Sequence, residues 1–192
     1  MHQNGEPVTV TNQLTPLPTP FEPEVSTALS RYPQGPDGYI IQLFRVFANS
    51  KRFLNGKGVV NLLDQDSPLT VREREIVILR TCANNNCEYE WGVHVATFAR
   101  PARLSAEQVA ATRTGSCDAS CWDPSEQLLL ACVDGWCSQA RLSPDLAERF
   151  AEQWNRAQQL EIIALVGNYH TISFVANTAQ LSLEPGSPSF PG

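Results

Sequence analysis

Four helix starts can be located in the sequence itself, and they constrain the fold of this chain more than any other feature. Each has a Ser, Thr or Asp able to cap the first turn, and three have Glu or Gln three residues later, which completes a capping box. Two have Pro at the first helical position, where the missing N–H costs nothing. The starts are residues 70–73, 105–108, 123–126 and 143–146. Apolar residues follow each start at three- and four-residue spacing, which predicts helices.

The rest of the chain also has helical patterning. Residues 37–48 and 53–63 predict two earlier helices, and Gly115 stands where the helix opened by Ser105 should end. Residues 159–180 are apolar on most sides and predict a buried last helix. No alternating strand pattern competes with this interpretation. The sequence therefore predicts an all-α helical bundle.

The two ends of the chain differ from its middle. Residues 1–24 are rich in Pro, Thr and Asn, and residues 183–192 are rich in Pro, Gly and Ser. Both compositions favour extended backbone. We therefore expect an extended N-terminal arm over 1–24, a helical domain over 25–182 and an extended C-terminal tail over 183–192.

Composition excludes several classes of function. With 42% hydrophobic and 18% charged residues the chain is too apolar to be disordered. The net charge of −6 comes with no run of Lys or Arg, so nucleic acid is not expected as a partner. No apolar stretch is long enough for a membrane span, and the first residues do not resemble a signal peptide. We expect a cytoplasmic protein whose six cysteines are reduced.

Residues 72–94 are the most informative stretch for chemistry. Residues 73–82 predict one helix, three consecutive Asn at 84–86 predict a break, and Asn85 with Glu88 predicts a capping box that opens the next helix. This places Cys87 in the first turn of that helix. A helix N-terminus stabilises negative charge, so the prediction is a lowered pKa and a reactive thiol for Cys87.

Four chemically active side chains share one face of this second helix. At about 100° per residue, positions 87, 90, 91 and 94 lie within roughly a third of the circumference. That stripe combines Cys87, Glu90, Trp91 and His94, an unusual mixture for a packing face. His94 can act as acid or base near neutral pH, with Glu90 or Glu75 as its proton partner.

The same stretch resembles the carboxymuconolactone decarboxylase-like superfamily, which includes the alkyl hydroperoxide reductase D (AhpD) proteins. Those carry a Glu, then a Cys-x-x-Cys twelve residues later, then a His four residues after the second Cys. Glu75, Cys87 and His94 match that pattern, whereas Glu90 stands where the second Cys would be. The segments EYEWGVH and LVGNYHTISFVANTAQLSLEPGSPSFP are similar to the branch that lacks Cys-x-x-Cys, so the resemblance covers about residues 37–192.

The resemblance implies an AhpD-like helical bundle with Glu75, Cys87 and His94 as catalytic residues and no cofactor. It also implies a homo-oligomer, usually a trimer or a hexamer. Without Cys at position 90 the usual disulfide cycle of the redox branch cannot run, since one thiol attacks and the other resolves. Cys82, just across the Asn break, is the one substitute we consider.

Three further residues are candidates for substrate binding beside Glu90. Arg80 lies on the helix of Glu75 and can pair with it or hold an anion. Trp91 fits packing better than substrate contact. His170 lies in the last helix, where it can line the pocket or serve as a hydrogen-bonded core histidine.

The remaining cysteines give no clear metal signal. Cys117 and Cys121 are four apart, Cys132 and Cys137 five apart, and neither spacing is that of a zinc knuckle. We expect small buried residues here and no metal. No phosphate-binding glycine loop is present either.

Three functions remain open at this point. The first is a cofactor-free acid/base enzyme of the lyase or isomerase type on a small acidic or lactone substrate. The second is a peroxidase-related thiol oxidoreductase that uses Cys87. The third is a non-catalytic helical oligomer.

Overall fold

A computed structural model describes residues 15–50, residue 54 and residues 67–192. The described parts contain helices and one 3-10 turn, with no strand, so the predicted all-α class is confirmed. The helices are α1 (Pro23–Leu29), α2 (Gln42–Phe47), α3 (Val71–Asn84), α4 (Glu88–Phe98), α5 (Ala106–Thr114), α6 (Pro124–Gln139), α7 (Pro144–Gln153) and α8 (Arg156–Thr178). The predicted helix over 53–63 lies outside the described residues except for Leu54.

Helix α3 forms the centre of the bundle. It packs against α4, α5, α6 and α8, and every residue from Glu75 to Ala83 is buried. A helix surrounded on all sides must be apolar on all sides, and 76–79 is a run of Ile, Val, Ile and Leu with no exposed surface. A charged side chain on this helix therefore needs a partner inside the protein.

The predicted helix starts are confirmed. Thr70, Ser105 and Asp123 each accept a hydrogen bond from the backbone N–H three residues on, inside complete capping boxes, and Ser143 caps α7. Helix α8 has a further capping box, between Asn155 and Gln158, that the sequence analysis missed. The last helix therefore begins at Arg156 and ends at Thr178, not over 159–180.

Two local predictions are wrong. Residues 37–48 are not one helix, because Asp37 has a left-handed backbone (φ 57°), the 3-10 turn Pro36–Gly38 is followed by extended residues, and α2 begins only at Gln42. The Asn85–Glu88 capping box does not form either. The Asn85 side chain donates to the carbonyl of Thr81 instead, so Cys87 is the N-cap residue and makes no side-chain capping hydrogen bond.

The C-terminal tail, residues 183–192, is extended but packs on its own chain. Glu184 is buried and accepts hydrogen bonds from the Tyr39 hydroxyl (2.7 Å), the Gln42 backbone (2.7 Å) and the Tyr89 hydroxyl (2.6 Å). Phe190 stacks on Trp91 with ring centres 5.3 Å apart. The tail therefore lies against α4 of its own chain.

A close contact between tail and body lies at Gly92. A Cβ atom at this position would lie 2.6 Å from the Pro188 carbonyl oxygen and 3.3 Å from Ser187 Cβ. We expect Gly92→Ala to lower the free energy of unfolding by about 1–3 kcal/mol, the usual cost of overpacking. Urea unfolding measures the stability, and limited proteolysis shows whether the tail is released.

A chain ending at Glu184 is the matched background for this test. It lacks Ser187 and Pro188 and keeps Leu183, whose flexible Cδ2 would lie 3.2 Å from the added Cβ, so the loss of stability caused by Gly92→Ala should be much smaller there. An equal loss of stability in both backgrounds would show that the contact with the tail is not the cause.

Candidate functional site

The site is a buried cluster built on three helices. Glu75 comes from α3, Glu90 and His94 from successive turns of α4, and Tyr169 from α8. His94 Nδ1 lies 2.8 Å from Glu75 Oε2, and His94 Nε2 lies 3.1 Å from the Tyr169 hydroxyl and 3.4 Å from Glu90 Oε1. None of the four side chains belongs to a residue more than 5% exposed. Both ring nitrogens of His94 are therefore engaged inside the protein.

The charges around His94 decide its protonation. Burial lowers the pKa of this imidazole, but the Glu75 and Glu90 carboxylates outweigh burial and raise the pKa to about 10. The ring is consequently an imidazolium at neutral pH, and both nitrogens donate hydrogen bonds.

Cys87 lies in the same region but differs from the prediction. The backbone N–H of Glu90 does lower the pKa of this thiol, as expected at a helix N-terminus. Burial acts more strongly in the other direction and the Glu90 carboxylate adds to it, so the pKa rises to about 11. Cys87 has no exposed surface. The predicted lowering of the Cys87 pKa is therefore wrong, because burial outweighs the helix N-terminus, whereas the catalytic role of Cys87 stays a prediction.

Cys82 also lies in this region. Its carbonyl accepts a hydrogen bond from the Cys87 backbone N–H at 2.9 Å, and neither sulfur is in a disulfide. Burial raises the pKa of the Cys82 thiol well above its usual value, while the nearby Ser173 hydroxyl lowers it. The same hydroxyl acts on Cys87. The two thiols are thus neighbours, and both are protonated at neutral pH.

Two residues of this cluster were missed in the sequence. Tyr169 and Ser173 both lie on α8, one turn apart, and face inward with Leu165 and Ala176. The spacing of the apolar residues on α8 places position 169 on the inner face of the helix. The prediction from sequence instead selected the neighbouring His170, because an imidazole is the more reactive side chain. Glu90 Oε2 and Arg74 Nε are buried without a hydrogen-bond partner. Unpaired buried polar atoms are costly, and their presence here is typical of a site that binds something.

The sequence of this region is similar to a known protein family. The sequence profile of the carboxymuconolactone decarboxylase family matches residues 55–134, a stretch that contains Glu75, Cys87, Glu90 and His94. Over that stretch, which is less than half of the chain, the protein is similar to the carboxymuconolactone decarboxylase family. No curated protein sequence matches it.

The fold has also been seen in a solved structure. An uncharacterized peroxidase-related protein from Silicibacter sp. TM1040 superposes with a TM-score of 0.72 at 18% sequence identity, over 92% of this chain and 95% of the other. At that identity the likeness establishes the fold, which is AhpD-like, as predicted.

Arg80 is not part of the cluster. Its guanidinium binds both carboxylate oxygens of Asp134, at 2.7 and 2.8 Å, and donates to the carbonyls of Thr112 and Gly115 at the end of α5. It neither pairs with Glu75 nor is free to hold an anion, because all three of its nitrogens bind within the protein. Arg80 ties α3, α5 and α6 together.

His170 and Trp91 also lie apart from the four-residue cluster. His170 Nε2 is 3.2 Å from Cys137 Sγ, and the imidazole, whose pKa is lowered by burial, packs edge-on against Phe174. Trp91 donates to the Thr112 hydroxyl at 2.9 Å and packs on the tail. Both residues have structural partners, and neither touches His94 in the described contacts.

Two negative findings concern the described parts of the chain. No group of three or more His, Cys, Asp or Glu side chains there is arranged to hold a metal ion. No helix there is long and apolar enough to cross a membrane.

A surface cleft of about 750 Å³ lies between α4, α5 and the tail. Trp91, Val95 and Val109 line it, with Ser189 and Pro191 of the tail. Glu75, Glu90, His94 and Tyr169 are not among its lining residues. The cleft therefore does not reach the buried cluster.

The raised pKa of His94 predicts a pH-dependent stability. The folded pKa is about 10 against about 6.5 when unfolded, so the contribution of this group is complete below pH 6.5 and is lost as the pH rises towards 10. Between pH 7 and 9 the folded state holds one more proton at this site. We therefore expect the free energy of unfolding to fall more steeply with pH in the wild type than in His94→Gln, by on the order of 1 kcal/mol per pH unit.

Urea unfolding at several pH values measures this slope. His170→Gln is the matched control, because the pKa of His170 is lowered and its effect falls below pH 6.5. Equal slopes for wild type and His94→Gln between pH 7 and 9 would show that His94 is not held as an imidazolium.

Proposed function

We propose that this chain is a cofactor-free acid/base enzyme, of the lyase or isomerase type, that moves a proton on a small acidic or lactone substrate. The observation that carries the proposal is the hydrogen-bonded arrangement of His94 between Glu75 and Glu90. A protonated imidazole next to a carboxylate with a free oxygen is a general acid beside a general base. Pairs of titratable groups kept in opposite protonation states are typical of proton-transfer sites.

Each residue has a distinct role in this proposal. Glu75 Oε2 lies 2.8 Å from His94 Nδ1, so this carboxylate fixes the orientation of the imidazole ring and stabilises its positive charge. His94 delivers a proton from Nε2, the nitrogen it shares with Tyr169. Glu90 uses Oε2, which has no partner in the protein, as the base. In an isomerisation Glu90 takes a proton from carbon next to a carbonyl and His94 protonates a second atom. In a decarboxylation the His94 proton replaces the departing CO₂.

An acidic substrate needs a cation near the site, and Arg74 fits this need better than Arg80. Arg74 is close enough to Tyr169 to lower the pKa of that hydroxyl, which burial otherwise raises well above its usual value. Its Nε is buried without a hydrogen-bond partner. We assign Arg74 the role of holding the substrate carboxylate. Because the cluster is closed to solvent, the substrate can reach it only if part of the surrounding structure moves.

A thiol oxidoreductase is the second candidate, and the closeness of Cys82 and Cys87 favours it. Both sulfurs lie beside the Ser173 hydroxyl, and the similar structure from Silicibacter is described as peroxidase-related. In a reducing cytoplasm a peroxide would oxidise one thiol and the other would resolve it. Burial and raised pKa values oppose this chemistry, since the thiolate is the nucleophile.

One pair of assays separates the two candidates. The chain is incubated in D₂O with a panel of small lactone acids, and deuterium incorporation and CO₂ release are followed by NMR. We expect activity in the wild type and in Cys87→Ser, and no consumption of hydrogen peroxide in the presence of dithiothreitol. Peroxide consumption that Cys87→Ser abolishes, without any proton transfer, would favour the thiol candidate. Absence of both activities would indicate a non-catalytic protein.

A further inference from the structure

We propose that the outer face of α8 is a twofold interface on which a second copy of this chain docks its own α8 in antiparallel orientation. The described residues have five large hydrophobic side chains that are exposed, and three of them, Leu160 (69%), Ile163 (46%) and Phe174 (59%), lie on α8. At about 100° per residue, these three residues and Gly167 lie within roughly 60° of one another around the helix axis, so they share one face of α8. Contiguous exposed apolar residues of this kind mark interaction sites.

The charge pattern of α8 agrees with a buried outer face. Residues 162–178 contain no Asp, Glu, Lys or Arg, although the helix runs along the surface. A solvent-facing helix normally carries charged residues on its outer side. Depletion of charge with retention of aromatic and aliphatic residues is typical of the centre of a protein interface.

The arrangement of these residues identifies a second copy as the partner. Gly167 is the central residue of α8, eleven residues from either end, and Leu160 and Phe174 lie seven residues before and after it. An antiparallel pair whose twofold axis passes at Gly167 therefore places Leu160 of each copy against Phe174 of the other. Nothing lies within 4 Å of a Cβ atom built on Gly167, so a second helix can approach there without obstruction.

The ends of the helix are complementary in the same orientation. Arg156 is exposed at the first position of α8, where a positive charge is unfavourable to its own helix dipole. The last turn of α8 has no basic residue to balance its partial negative charge. In the antiparallel pair each Arg156 lies beside the C-terminal end of the other copy's α8, which is a favourable position for it. A parallel pair would bring the two Arg156 side chains together.

The interface has a consequence for the subunit count and for the site. A twofold contact occurs in dimers and in hexamers built from three dimers, but not in a simple trimer. Tyr169 and Ser173 lie on the inner face of the same helix. The proposed interface would therefore support α8 from the side opposite to the catalytic cluster.

Sedimentation equilibrium of the full chain tests the interface. We expect the wild type to have a mass that is an even multiple of 21.2 kDa. Ile163→Glu should weaken association about 100-fold or more, because two carboxylates would be buried in an apolar contact. Val71→Glu is the matched control, since Val71 is equally exposed (45%) but lies on α3, and it should leave the mass unchanged. A monomeric or trimeric wild type, or an Ile163→Glu variant that associates like the wild type, would overturn the proposal.

Oxidative cross-linking tests the orientation without depending on affinity. Gly167→Cys should form a disulfide-linked dimer, because position 167 of one copy lies against position 167 of the other at the twofold axis. Ile163→Cys should not, since position 163 lies opposite position 171 and the two introduced thiols are roughly 12 Å apart along the helices, too far for a disulfide. The wild type shows how much cross-linking the six native cysteines produce, all of which are buried or half-buried. Cross-linking through position 163 but not 167 would overturn the antiparallel arrangement.

Discussion

Replacing His94 with glutamine is expected to lower the rate of proton transfer by about 10²- to 10⁴-fold, the contribution usual for a general acid or base. Glutamine can still donate one hydrogen bond to Glu75, so the packing of α3 against α4 should be preserved while the proton donor is lost. The measurement is kcat for deuterium incorporation into the best substrate of the lactone-acid panel. Unfolding in urea at pH 6 and pH 9 checks that the variant is folded.

Glu75→Gln distinguishes the role of charge from that of position. It keeps a hydrogen bond to His94 Nδ1 but removes one of the two carboxylates that raise the pKa of the imidazole. We expect the pH above which activity falls to move to lower values, with little change in KM. If His94→Gln retains wild-type kcat, or if Glu75→Gln has an unchanged pH profile, the acid role of His94 is wrong.

Replacing Arg80 with methionine is expected to lower the free energy of unfolding by about 3 kcal/mol. The substitution leaves Asp134 without its bidentate partner and uncovers the carbonyls of Thr112 and Gly115. This value is at the lower end for breaking a buried ion pair, because the Asp134 side chain is still 32% exposed to water. The midpoint of urea unfolding measures the effect.

The control for Arg80 is Arg100→Met, which removes an exposed guanidinium and should change stability by less than about 0.5 kcal/mol. Proton-transfer activity per folded molecule should be preserved in Arg80→Met, since Arg80 does not contact the cluster. A stable Arg80→Met variant with selectively lost activity would instead return Arg80 to the set of substrate-binding residues.

Local signals explain why so much of the fold was predictable. A capping box is made by residues three apart, so Thr70, Ser105 and Asp123 specify helix starts without information from the rest of the chain. The 37–48 prediction failed for the opposite reason. Residues there are held by Glu184, about 140 positions away, and no local pattern contains that contact.

Most residues of the candidate site could be predicted from the sequence, but the direction of the Cys87 pKa shift could not. Helix geometry placed Glu90 and His94 on one face of α4, and the family resemblance added Glu75 from α3. The pKa of Cys87 was predicted with the wrong sign, because the helix N-terminus is a local effect whereas burial depends on the whole fold. Tyr169 was overlooked because its role depends on which face of α8 meets His94.

The contacts of Glu184 also set an order of events during synthesis. Tyr39, Gln42 and Tyr89 leave the ribosome long before Glu184, and the Tyr89 hydroxyl is buried in the finished protein. Until Glu184 emerges, these groups lack its carboxylate as an acceptor, although the Tyr89 hydroxyl can already accept a hydrogen bond from the Leu43 backbone N–H. The packing over the start of α4 is therefore completed only after Glu184 has been synthesised, and a ribosome-bound chain stalled before position 184 should expose Tyr89 to solvent more than the finished protein does.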